Sequence, residues 1–230
     1  MNRKNAGAVF CTLCGLTALT AMSAEIFYDF SINTKSPIHM SKLNNLVQKV
    51  TNTSGSEEDA SEKYSGLTGT PEMKKWYNEH GEDVYIMSDS LRLHGKIFKN
   101  NSSKYVIVCH GYTSKAKHMA GFVNKFYSLG YNVLAADARA HGDSEGTKIG
   151  MGWPERFDVI EWIKLIISWE PNAQIILHGV SMGAATVLMA SGEELPENVK
   201  VIIADCGYTS EWDEFKCKAN ALHIPWFPVL

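Results

Sequence analysis

From about Trp76 onward, short apolar runs alternate with stretches whose apolar positions recur every three or four residues, so strands and helices take turns along the chain. "EDVYIMS" and "LRLHGKIFK" alternate loosely between apolar and polar residues on either side of Asp89-Ser90, which predicts an antiparallel hairpin. "KYVIVCHG" is nearly continuous in apolar residues and ends in glycine, the pattern of a strand covered on both faces. Met119, Phe122, Val123, Phe126 and Leu129 then mark one face of a helix closed by Gly130. "YNVLAADARAHG" predicts a second buried strand, and Pro154 suits the first position of a helix carried by Phe157, Ile160, Ile163, Ile166 and Ile167. "AQIILHGVSMG" and "VKVIIADCG" are two more strands, joined by an alanine-rich helix from Met182 to about Ser191.

This rhythm predicts an α/β fold with a mostly parallel sheet and helices on both faces. In such sheets the ligand crevice opens at the carboxyl ends of the strands. Four suggestive stretches fall there: "CHGYTS", "DARAHGDSEG", "HGVSMG" and "ADCGYTS".

Before the globular pattern, the sequence has a different character. Arg3 and Lys4 precede an uncharged run from Ala6 to Ala24, close to the roughly 20 residues that span a bilayer. The run reads as an uncleaved signal anchor, with Phe27, Tyr28 and Phe30 suited to the far interface. The alternative is a signal peptide cleaved after small residues near Ala21-Met22-Ser23 or Ala24. Either form places the rest of the chain outside the cytoplasm, at the cell membrane or secreted. The expected organisation is therefore 1–32 as anchor or signal, 33–70 as a polar linker with a short helix over Ser41 to Val50, and 71–230 as the folded domain.

Composition narrows the function. With 22 Lys and Arg against 25 Asp and Glu, the net charge is −3, and no basic cluster tracks a phosphate backbone. Nucleic acid is not an expected partner. The five cysteines form no disulfide framework, and Cys109 and Cys206, in or beside apolar runs, read as small buried hydrophobes. The histidines lack metal-ligand spacing, so neither a metal nor another cofactor is implied.

Ser181 is the candidate nucleophile. Gly179 and Gly183 permit the tight turn from strand to helix that pushes a serine outward, and the following helix aims amide N–H groups at a developing oxyanion. The backbone N–H groups of Tyr112 and Met182 would form that oxyanion hole. His110 and Gly111 are read as supports of the loop, and Asp137 and His141 as shaping the pocket without doing chemistry. The loop "DARAHGDSEG" is expected to be held by its own Asp to Arg and Asp to backbone contacts; His178 is also read as structural.

These motifs, in this order, make the region from about Trp76 to Leu230 resemble the α/β-hydrolase superfamily, in particular exported bacterial serine hydrolases of the esterase, lipase or peptidase-like sort. The resemblance implies hydrolysis of a small-molecule ester or related acyl bond by Ser181. It also implies a triad acid after a seventh strand and a histidine after an eighth. The chain stops at the start of what looks like a lid, so the fold is expected to lack its last strands, as a C-terminally truncated copy would, and to be nearly inactive. Asp205 and His223 are weak local substitutes for acid and base. A noncatalytic surface binding protein of the same fold is the competing reading, and acyl transfer or peptide cleavage by the same serine is a third.

Overall fold

In the computed structural model, residues 24–42, 69–214 and 216 are described. They fall into two compact units, 69–209 and 24–42 with 210–214 and 216. The smaller unit holds a helix over 24–31, where Asn33 Nδ2 donates to Asp29 Oδ1 at 2.8 Å. Among the described residues no helix is long and apolar enough to cross a membrane; the apolar run up to residue 23 lies outside them, as do 43–50 of the expected linker helix and His223.

The larger unit opens with α1 (Pro71–His80). Thr70 caps it by accepting the Met73 N–H, and Pro71 occupies the first turn, where a missing N–H costs nothing. Only Tyr77 on α1 is buried, which is why no apolar period announces the helix. The expected hairpin follows as β1 (Glu82–Ser88) and β2 (Leu91–Phe98), turning through Asp89 and Ser90, both at positive φ as a tight hairpin requires. Next come β3 (Lys104–Cys109), a 3₁₀ turn at Ala116–Met119, α2 (Ala120–Ser128) and β4 (Asn132–Ala136). The remaining elements are α3 (Glu155–Trp169), β5 (Gln174–Val180), α4 (Met182–Ala190) and β6 (Val199–Asp205).

The six strands form one sheet in the order β1-β2-β4-β3-β5-β6. The first two pairings are antiparallel; β4, β3, β5 and β6 run parallel. Register brings the strand ends level: Cys109 lies opposite both Ala136 and Gly179, and Val180 opposite Asp205. The residues that follow these strands therefore share one rim.

Apolar clusters cover both faces. On one, Leu93, Ile107, Leu134 and Leu177 of the sheet pack with Trp162, Ile163 and Ile166 of α3 and Val187 of α4. On the other, Val106, Val108 and Val133 meet Tyr77, Met119 and Val123. Each fully buried side chain of this size contributes about 1.5–3 kcal/mol.

Three details differ from the sequence pattern. The buried stripe of α3 runs through Val159, Trp162, Ile163 and Ile166, so Phe157 lies outside it and stacks on Arg156, whose guanidinium sits 3.9 Å from the ring centre. Pro154 stands one position before the helix rather than inside it. Moreover, Cys206, expected to be a small buried hydrophobe, is exposed, and it follows β6, the last strand of the sheet among the described residues, where Val201 and Ile203 are 46% and 38% exposed.

Candidate active site

Ser181 occupies the single residue between β5 and α4, with φ 54° and ψ −114°. Such a conformation costs a non-glycine residue roughly 1–3 kcal/mol and persists only where its surroundings enforce it. Here they do. A Cβ on Gly179 would lie 2.1 Å from the Gly183 carbonyl oxygen, and one on Gly183 would lie 2.2 Å from that of Cys109, so only glycines let α4 descend onto the strand ends. The Ser181 N–H donates to Asp205 O at 2.9 Å, fastening the turn to the end of β6. Asp205 itself is exposed.

The loop after β3 borders the serine. A Cβ placed on Gly111 would sit 3.4 Å from Ser181 Cβ and 3.9 Å from its Oγ. The loop turns at once, with Ser114 N–H donating to Gly111 O and Thr113 in the left-handed region at φ 55°. Tyr112 is thereby held between two constrained neighbours. Met182 is the first residue of α4, where an amide N–H has no carbonyl one turn back within the helix.

Two histidines pin this loop. His110 is buried; its Nε2 accepts the Ala138 N–H at 3.0 Å, so its proton is on Nδ1, donated to Gly111 O at 2.8 Å. Burial, with His141 nearby, pushes His110 down to about 4, and the ring is neutral near pH 7. His141 uses the same tautomer, accepting the Thr113 N–H at Nε2 and donating from Nδ1 to Arg139 O. Both nitrogens of both rings are engaged with backbone.

Asp137 is the hub beneath them. Its Oδ1 accepts the Ala116 N–H at 2.7 Å, and its Oδ2 faces His94 Nδ1 at 2.7 Å and the Asp143 N–H at 3.3 Å. Burial opposes its charge, but the His94 bond and these amides outweigh it and hold the carboxyl below the ordinary aspartate range. His94, Asp137 and Asp143 converge within 4.8 Å, yet the hydrogen bonds already made to Asp137 account for the convergence without a metal ion.

Arg139 behaves differently from the expectation that the loop holds itself by internal Asp to Arg contacts. It leaves its own loop and pairs bidentately with Asp158 of α3, at 2.8 and 2.6 Å, and with Asp89 of the hairpin turn at 3.0 Å. A guanidinium needs a planar carboxylate partner, and Asp158, fixed on the buried side of α3, supplies one. One turn earlier, Glu155 accepts the N–H groups of Gly150 and Gly152 at 2.8 and 2.9 Å. A cavity of about 20 Å³ lies behind the serine turn, lined by Cys109, His110, Glu155, Met182 and Thr186. It has room for one water and none for a substrate.

His178 is buried against Phe122 and Phe126, with ring centres 4.4 and 5.4 Å apart, and takes a packing position. Cys109, beside the elbow, is no rival nucleophile, because burial pushes its thiol up to about 12. His94, Glu155 and Asp158 have no motif to announce them. His94 is signalled only by its place in the alternation of β2, at a position the sheet buries.

The family described as serine aminopeptidase, S33, matches residues 100–222. An uncharacterized protein, YqkD, of Bacillus subtilis is 31% identical over 127 residues, covering 54% of this chain and 42% of that protein. The lysophosphatidylserine lipase ABHD12 of Bos taurus is 27% identical over 156 residues, covering 66% and 37%. Among solved structures, the Pyrococcus furiosus esterase Pf2001 superposes with a TM-score of 0.56 at 30% identity, covering 66% of this chain and 60% of that one. The chain thus spans about two fifths of the length of these curated relatives. With its mixed sheet, its strained serine turn and the family match over more than half its length, the chain belongs to the serine aminopeptidase S33 family of α/β hydrolases.

Proposed function

We propose that the protein is a serine hydrolase of carboxylic esters or related acyl bonds, with Ser181 as nucleophile and the Tyr112 and Met182 N–H groups as oxyanion hole. The observation that carries this reading is the strained backbone of Ser181, enforced by Gly179 and Gly183 and bordered by the loop of Gly111, where a Cβ would lie 3.9 Å from the serine Oγ. Strain of this kind is sustained where it aims a reacting atom. The Oγ adds to the acyl carbon as a base takes its proton, and the carbonyl oxygen becomes an oxyanion held by the two amides. Collapse expels the alcohol, which takes the proton from the base, and water then releases the acid by the same steps in reverse order. The base is assigned to sequence following β6, as the family resemblance implies, because His110 and His141 have committed both ring nitrogens.

Ester chemistry is supported by the descriptions of two similar proteins, an esterase and a lysophosphatidylserine lipase. The family description, an aminopeptidase, supports amide cleavage by the same serine as the second reading. A fluorophosphonate probe tests the shared step: label on the full-length protein that disappears in Ser181→Ala is expected, and label that persists in that variant overturns the assignment. Hydrolysis rates on matched ester and amide substrates separate the two readings. Residues 6–24 are proposed to export the domain, and sequencing the mature N-terminus checks the form, since a start near Glu25 rejects the anchor.

A further inference from the structure

The two ring nitrogens of His94 each meet an acceptor. Nδ1 lies 2.7 Å from Asp137 Oδ2, and Nε2 lies 3.0 Å from Asp83 Oδ1. Two ionised carboxylates can only accept, so both bonds exist together only when the ring carries two protons. His94 is therefore an imidazolium, buried on β2, between a carboxylate that is half-exposed on β1 and one that is buried on the site's rim. Among the described residues, charged or titratable groups near it include Lys96 of its own strand, bonded to Asp83 at 2.7 Å, Tyr85 of β1, and Asp143 of the loop after β4. Lys96, of the same sign as the ring, is itself paired with Asp83.

We propose that His94 is a positioning residue for the oxyanion loop: its imidazolium fixes and charge-balances the Asp137 carboxylate, which in turn holds the Ala116 N–H and with it the segment 111–116 beside Ser181. The path is short, running through side-chain contacts from Asp83 to His94 to Asp137 and on to the Ala116 N–H. His94 also ties the loop after β4, since its own N–H donates to Ser144 Oγ and that hydroxyl donates to Asp137 O. When the ring loses a proton, the hydrogen left on Nδ1 can still serve Asp137, but the Nε2 lone pair then faces the Asp83 carboxylate. The clamp loosens from its solvent side, and Asp137 is left buried without a positive partner. The bond to Asp137, with that to Asp83, prevails over burial and raises the pKa of His94 from its ordinary value, so the clamp opens as pH rises through the raised value.

This inference rests on reading 111–116 as the oxyanion loop, and its test needs no turnover. The ring ¹⁵N shifts of His94 and the hydrogen-exchange protection of the Ala116 amide are followed against pH in the chain as it stands, in Asp83→Asn and in His94→Gln. The expected result is an imidazolium shift pair at pH 7. Ala116 protection should fall about tenfold as the ring titrates, as loss of a hydrogen bond to a charged group predicts. In Asp83→Asn, altered on the exposed side alone, both midpoints should move down together. A neutral-tautomer shift pair at pH 7 overturns the proposal, as does Ala116 protection that ignores the titration or stays put in Asp83→Asn. Should His94→Gln not fold, the Asp83→Asn comparison decides. Failure of Ser181 labelling with protection behaving as expected counts against the hydrolase reading and leaves the clamp standing.

Discussion

At the scale of single residues, the site is governed by groups whose protonation is fixed by what they touch. His110 is held near 4 by burial, against an ordinary histidine value near 6.5. The unfolded chain therefore takes up this proton first, and the stability His110 contributes is present above about pH 6.5 and lost as pH falls toward 4. His94 has the opposite sign: its contribution is complete below its unfolded value and disappears as pH rises through its raised folded value. Urea midpoints measured from pH 4 to 9 should therefore trace a dome, and His94→Gln should flatten only its alkaline side. The glycines of the elbow are equally exacting. Gly183→Ala brings a methyl to 2.2 Å from the Cys109 carbonyl oxygen, which nothing flexible can relieve, and should cost roughly 3 kcal/mol or more in denaturant unfolding.

At the scale of elements, the loop after β4 and the start of α3 behave as one assembly. Arg139 and Asp158 are a buried bidentate pair, with side chains 10% and 5% exposed. Arg139→Leu strands the Asp158 carboxylate and should destabilise by about 3–5 kcal/mol, while the double variant Arg139→Leu with Asp158→Leu should recover much of that loss. Thermal melts of the three proteins would show it. This assembly was only partly legible in the sequence. The strands and two of the helices, α2 and α3, follow from apolar periods, because burial on a sheet face or a helix stripe leaves its mark at fixed spacing, and α4 follows from its run of alanines. Serine and its glycines are legible because backbone sterics at a tight turn restrict which residues can stand there. Arg139 meeting Asp158 across 19 positions leaves no such mark, and neither does His94 meeting Asp137 across 43. A charge partner is chosen by tertiary placement, which no local spacing encodes. Phe157 shows the same limit: an apolar residue near a stripe can leave it to stack on a neighbouring guanidinium.

At the scale of the whole molecule, β6 is the last strand of the sheet among the described residues, seven residues long, with Val201 and Ile203 partly exposed along it. Its apolar run resembles those of β3 and β5; composition records what a strand can cover, and its position in the sheet decides what is covered. That strand is joined to the chemistry by one bond, the Ser181 N–H to Asp205 O. The serine's aim is therefore set from two sides, by the helix that follows it and by a neighbouring strand that is not its own, so the elbow is a joint of the sheet as much as a bend in the chain.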